Sequence, residues 1–439
     1  MHPVILLLVL ADVKAAGGKT RVVGTGSDTR PAVGPRAALA LLRRRSFGPY
    51  FAGNALSASG TWFQNLAAAL LIYRQTHSVL LLGVLNFSQF LPILLLAPWA
   101  GAASDRWNRR HVLLVTQPIS IALSAGLGLL AYLDLAPPAV VIADATALGV
   151  VSAFSAPAQQ AMIPSLVEES EVPTAVALNS MTFNLARAIG PASAALAVEY
   201  LGIPAAFGLN ALSYLIFVGA LLLIGPRPQE LAERPAGGQV RASIDLLRRR
   251  PQLVIFLVIV AAVGFASDPV NTLAPAWAHV FGEKDTFGGY IVGVFGAGAV
   301  TAAFVVAGRV GGSRRRMFAT LMLLGGGMVV FALTPWLALA LPVLFVAGFG
   351  YLASNTHATA RLQLGVDPWE RGRVMALWSV AFLGLRPFAS LLDGALAGAF
   401  GVRVAAVVLA LPALGCAAWV AARARTRGWG PARAEIPPA

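Results

Sequence analysis

Residues 79–133 read VLLLGVLNFSQFLPILLLAPWAGAASDRWNRRHVLLVTQPISIALSAGLGLLAYL. Two apolar runs, 79–103 and 110–133, flank one short turn that holds Asp105, Arg106 and Arg109, with Arg110 opening the second run. Each run has the roughly 20 apolar residues that a helix needs to cross a bilayer. A helix is expected there because lipid offers no partner for free backbone N–H and C=O groups. The rest of the chain repeats this alternation. Of its 439 residues 57% are hydrophobic and 12% charged, with mean hydropathy +0.73. A water-soluble chain carries about a quarter charged residues, so charge this sparse cannot clothe a globular surface. The predicted fold is an all-α polytopic membrane protein whose outer solvent is lipid.

Applied along the chain, the same rule gives twelve spans. They centre on 47–74, 79–103, 110–133, 137–161, 174–200 and 204–225, then 252–280, 286–307, 317–335, 337–360, 373–399 and 402–422. The intervening 226–250 is rich in Pro, Gly and Arg and reads as a loop between an N-terminal half (43–225) and a C-terminal half (251–424). Residues 1–42 read as a disordered basic extension without a cleavable signal, and 425–439 as a tail. Lys and Arg total 33 against 19 acids. A basic excess suits nucleic acid or membrane orientation, and here the bases cluster between apolar runs, so no nucleic-acid partner is expected. With both termini inside, 28 Lys/Arg fall on the inner side and three (Arg74, Lys284 and Arg403) outside. That asymmetry predicts cytoplasmic termini in a bacterial inner membrane.

The halves repeat. Ala177–Phe183 (ALNSMTF) corresponds to Ala376–Phe382 (ALWSVAF) at an offset of 199, and Leu166-Val167-Glu168 to Gly365-Val366-Asp367 at the same offset. Ala195–Ala197 corresponds to Ala395–Ala397 at 200. The expectation is two pseudo-symmetric six-helix halves with a site between them near the membrane midplane.

The turn after the second span, Gly101-x-x-x-Asp105-Arg106-x-x-Arg109-Arg110, resembles the loop signature of the major facilitator superfamily. The resemblance implies a latch of acid and bases at the cytoplasmic rim. A degenerate copy, Gly308–Arg316, keeps the bases without the acid. In the fifth span, Arg187-Ala-Ile-Gly190-Pro191 resembles the Gly-Pro helix-bend motif of exporters in that superfamily, and Pro387 marks the corresponding bend of the eleventh. The strings Ser155–Pro164, Ala177–Arg187 and Arg371–Leu377 are most similar to the enterobactin-exporter and macrolide-efflux (transmembrane secretion effector) branch. This implies alternating-access export of a small amphipathic molecule, siderophore-, macrolide- or drug-like, by a monomer. The arginine typical of the fourth span in proton-coupled antiporters is absent: Asp144 and Ala145 stand there. Protons remain the expected coupling ion.

Ionisable groups inside a span are costly and by default face a cavity or a partner. Asp144, Arg187, Asp268, Arg386 and Asp393 are the candidates, joined by Gln64, Asn65 and Asn184 as polar residues able to line a cavity. Arg187 and Arg386 sit beside the corresponding prolines of the two halves and are expected to point inward, toward an acidic substrate group or toward the aspartates. Asn54, Asn179, Asn210 and similar neutral groups read as hydrogen-bonding glue between helices. Five scattered histidines and one cysteine, Cys416, supply no metal or cofactor site. Neither a zinc-protease nor a serine-hydrolase motif is present, which disfavours a membrane-embedded enzyme. A transporter-like sensor or scaffold is the alternative to an exporter.

Overall fold

The computed structural model describes residues 35–225, 239–306, 313–367 and 370–422. The expected N-terminal extension as far as residue 34, the loop residues 226–238 and the tail from 423 lie outside the described residues, as do 307–312 of the degenerate motif.

All regular structure among the described residues is helical. A short amphipathic helix, α1 (Pro35–Arg43), leads into α2 (Gly48–Thr76), α3 (Val79–Arg106), α4 (Arg109–Tyr132), α5 (Pro138–Ser165), α6 (Val172–Leu201) and α7 (Ile203–Leu223). A second amphipathic helix, α8 (Gln239–Arg249), leads into α9 (Gln252–Thr272), the short α10 (Ala274–Val280), α11 (Gly288–Val306), α12 (Arg314–Leu333), α13 (Leu337–Leu364), α14 (Arg371–Ser379), α15 (Arg386–Phe400) and α16 (Val402–Ala422). Among the described residues, ten stretches are long and apolar enough to cross a membrane. Helices α2 and α6, of 29 and 30 residues, match them in length but carry more polar side chains.

Local chemistry sets the helix ends. Ser78 and Asn108 accept hydrogen bonds from the first N–H groups of α3 and α4, satisfying donors that a helix start leaves free. Gly202 and Gly401 lie at φ +86° and +90°, a left-handed conformation that favours glycine, and reverse the chain between α6 and α7 and between α15 and α16. They are 199 residues apart, the offset of the sequence repeat.

Two expected spans are broken. The stretch 252–280 divides at Leu273 into α9 and α10, with Pro269 and Pro275 on either side of the break. The stretch 373–399 divides into α14 and α15 around a π-helical turn, Val380–Gly384. Pro387 has no N–H to offer the preceding turn, and the wider turn accommodates the loss. The corresponding Pro191 is instead carried inside a continuous α6.

Helices α2–α7 pack into one group and α9–α16 into another, and two pairings dominate the seam between them: α3 with α15, and α6 with α11. Small residues let these backbones touch. On α11, a Cβ placed at Gly289, Gly293 or Gly296 would meet Pro191, Ala188 or Arg187 of α6.

A clamp recurs where α3 gives way to α4, here called the arginine-rich end. Arg44 pairs with Glu171 at 2.7 Å and Glu168 at 3.5 Å. Arg250 pairs with Asp367 at 2.7 Å and Glu370 at 3.2 Å. The acids correspond between clamps at the same offset of 199, Glu168 with Asp367 and Glu171 with Glu370, and each clamp ties the entry of its group to the start of the fifth expected span, α6 in the first and α14 in the second.

Candidate functional site

The seam encloses a cavity. From the first group it is lined by Trp62, Gln64, Asn65, Asn86, Gln89, Asp144 and Pro191, and from the second by Asn271, Val292 and Arg386. The sequence candidates Gln64, Asn65, Asp144, Pro191 and Arg386 are thus brought together from α2, α5, α6 and α15.

On the α2 side the polar groups are tied into a network. Gln64 donates from Nε2 to Asp144 Oδ2 at 3.0 Å and accepts from Asn210 Nδ2 at 3.2 Å. Asn210, fully buried, also donates to Ser124 Oγ at 3.1 Å. Gln89 donates to Asn65 Oδ1 at 2.9 Å. These bonds hold the amides and the acid of one wall at fixed positions. Pairing them also avoids the cost of about 1–3 kcal/mol for each buried polar group left without a partner.

The opposite wall is cationic. The Arg386 side chain is 23% exposed, its Nε lies 4.0 Å from Asp268 Oδ1, and its guanidinium carbon lies 4.3 Å above the centre of the Phe90 ring. Phe90 belongs to α3 of the first group, so this cation–π contact bridges the seam. Arg187 also crosses it: Nη1 donates to the Tyr351 hydroxyl on α13 at 2.6 Å, with the guanidinium carbon 5.7 Å from the Phe183 ring centre and 5.4 Å from that of Tyr351. Both arginines therefore face protein groups at the seam.

The remaining candidates lie elsewhere. Asp268 and Asp393 sit behind Arg386, 2% and 0% exposed. Asp268 accepts from Thr272 Oγ1 at 2.8 Å and Ser390 Oγ at 3.1 Å. Asn184 donates to the Ser180 carbonyl of its own helix at 2.8 Å. Gly190 packs against Trp62, where a Cβ would lie 2.7 Å from the ring, and Pro387 is buried at the start of α15. In the arginine-rich turn, the side chains of Gly101, Asp105 and Arg106 lie outside the described residues. Arg109 donates to the Ala161 carbonyl and Arg110 to the Leu221 carbonyl, both at 2.9 Å, stitching the start of α4 to α5 and α7. Asn54 donates to Asn179 at 3.0 Å, joining α2 to α6.

At the end opposite the arginine-rich one, two ion pairs cross between the groups. Arg74 grips Asp285 with two hydrogen bonds, at 2.5 and 2.9 Å, and Lys284 approaches Glu199 to 3.4 Å. The Tyr73 and His279 rings meet beside them, 5.3 Å between centres. Sequence reading left out these pairs, together with Tyr351, Phe90, Thr272 and Ser390. The signal available was that Arg74 and Lys284 are two of only three bases counted on the outer side.

A family model described as transmembrane secretion effector matches residues 36–434. The staphyloferrin A transporter of Staphylococcus aureus is 27% identical over 364 residues, covering 80% of this chain and 90% of that protein. Macrolide efflux protein A of Streptococcus pyogenes is 22% identical, covering 81% and 90%, and the multidrug efflux pump Tap of Mycobacterium tuberculosis 24%, covering 87% and 94%. Among solved structures, a bacterial homolog of the human lysosomal transporter Spinster, inward-facing and occupied, superposes with TM-score 0.71 at 15% identity over 91% of this chain and all of that one. A D-xylose–proton symporter superposes with TM-score 0.63 at 15% identity, over 86% and 96%. With the family pattern extending over nearly the whole chain, and a helical fold that superposes on these transporters, this protein belongs to the transmembrane secretion effector family of major facilitator transporters.

Proposed function

We propose that the protein is a secondary exporter, and not an enzyme, carrying a small amphipathic siderophore-, macrolide- or drug-like molecule by alternating access at the expense of a proton gradient. In this reading α2 and α6 join the ten apolar stretches to make twelve spans in two halves. The arginine-rich end and both termini lie in the cytoplasm of a bacterial cell with the chain in its inner membrane, and the working unit is a monomer. The observation that carries the reading is the cavity at the seam. One wall is an ordered amide and carboxyl surface from the first half, the other is Arg386 from the second, and ion pairs between the halves close the end away from the arginines. Rocking of the halves about such a cavity exposes it to each side in turn. The described conformation is then the one closed to the outside.

The test is efflux from cells that lack their own pumps and express this chain. Ethidium and radiolabelled erythromycin are the probes, followed by comparison of the medium of deletion and wild-type strains. Export that a protonophore abolishes and Arg386→Gln impairs is the expected result. Identical probe retention and identical media with and without the chain would refute it.

A further inference from the structure

Asp393 is the most completely enclosed ionisable residue at the seam. It is 0% exposed, and among the described residues neither carboxyl oxygen has a hydrogen-bond partner. The charged and titratable groups that face it are few. On α9 there is Asp268, which has two hydroxyl donors and Arg386 to support a negative charge. On its own helix there is Arg386, whose Nε approaches Asp268. The only titratable residues of α16 are Arg403, which donates to the Ala332 and Thr334 carbonyls, and Cys416. The part of α3 packed over Asp393 carries no ionisable residue: it presents Gly83 to Ser390 and Gly394, and Phe87 to Phe388. A carboxylate with no counter-charge and no donor in such a place costs many kcal/mol, so the neutral acid is the form the site tolerates. The supported carboxylate and the unsupported one divide the roles, with the negative charge on Asp268 and the proton on Asp393.

The cover over Asp393 belongs to the other half of the molecule. A Cβ at Gly83 would lie 2.5 Å from the Ser390 carbonyl oxygen and 3.0 Å from the Gly394 Cα, so α3 and α15 meet backbone to backbone beside the acid. Any rocking that parts the halves at this end lifts that cover. We propose that Asp393 is the proton-carrying residue of the cycle, holding a proton while the α3–α15 seam is closed and exchanging it with water when the seam parts. On parting, the carboxyl O–H breaks and its proton passes to water. The charge left behind is felt by Asp268 and Arg386, which connect the acid to the cavity wall. The direction of proton use rests on the export reading above; the seam-gated proton does not.

The test uses the purified full chain in nanodiscs and dicyclohexylcarbodiimide, an apolar reagent that adds to neutral carboxyls, with modified residues located by mass spectrometry. Asp393→Asn supplies the blank. Wild type should label slowly at Asp393, and labelling should fall as pH rises. Gly83→Ala overpacks the seam, and overpacking costs about 1–3 kcal/mol, so the ratio of parted to closed seam should rise roughly 5- to 150-fold, and labelling with it. Gly394→Ala, which strikes Gly83 from the other side, should act in the same direction. Unchanged labelling in a variant that melts like wild type overturns the proposal. So does protection by sodium at constant pH, which would make the acid a metal-cation ligand. If neither glycine variant folds, the pH dependence in wild type decides, and its absence refutes. None of these readouts uses a transported compound. Labelling without export sinks only the export reading, and export with an inert Asp393 sinks only this one.

Discussion

Removing the Arg74–Asp285 contact should shift the balance between the two faces of the transporter. The pair joins α2 of the first half to the turn before α11 of the second, with the arginine side chain 44% and the aspartate 14% exposed. Exposed ion pairs contribute about 0–1 kcal/mol, and a bidentate, charge-assisted geometry stands at the top of that range. Lys284–Glu199, with the lysine 81% exposed, adds next to nothing by the same rule. Arg74→Ala should therefore cost the outside-closed state about 1 kcal/mol, close to a fivefold change in population. Asp285→Ala should do the same, and the double variant no more than either single one, since the second change removes a partner already lost. Spin labels at Asp134→Cys and Glu283→Cys, exposed on loops of the two halves, would report the separation by pulsed dipolar spectroscopy once the only native cysteine, Cys416, is changed to serine. A distance distribution that widens toward longer separations in Arg74→Ala, but not in Lys284→Ala, is expected. Identical distributions in all variants would show that these pairs do not hold the halves together.

Arg386→Gln should reduce export well beyond any fall in protein level, and Arg386→Lys should not restore it, because an ammonium cannot keep both the flat stack on Phe90 and the approach to Asp268. Paired transport and quantitative immunoblot measurements check this. Gln64→Leu should lower thermal stability by about 1–3 kcal/mol, because Asp144 loses its donor and Asn210 an acceptor inside the bundle; Asn184→Ala, whose bond stays within its own turn, should cost under 1 kcal/mol. Melting curves in one detergent compare the two. Arg250→Ala should loosen the start of α14, where Asp367 and Glu370 would face each other without their base, seen as faster amide exchange across 370–379. A reporter active only in the periplasm should stay silent when fused to the C-terminus and become active when inserted at Asp134; the opposite pattern would invert the orientation.

Composition and spacing pointed to a helical chain that lives in lipid, and the motif strings carried the resemblance to the family that the whole-chain match then showed. Those properties follow from one-dimensional facts: sparse charge, apolar runs of bilayer length, a signature turn and a repeat at a constant offset. The repeat is also carried by Gly202 and Gly401 and by Glu171 and Glu370, single positions too short to single out in sequence, whereas Glu168 and Asp367 already stood in the matched loops. Hydropathy could not show that Pro269, Pro275 and Pro387 interrupt their spans, because an apolar run reads the same whether its backbone bonds are continuous or broken. Nor could it sort the polar residues. Asn184 and Asn65 look alike in sequence, yet one bonds to its own turn and the other faces the cavity, since a few tens of degrees of helix rotation decide which way a side chain points. Asp393 and Arg386 share a helix face, but only packing against α3 and α9 leaves one enclosed without a partner and the other at the cavity wall. Partners more than a hundred residues apart in sequence (Arg74 with Asp285, Arg187 with Tyr351, Gly83 with Gly394) are brought together by the way two halves dock, and that docking depends on the shape of small-residue seams which no local pattern encodes.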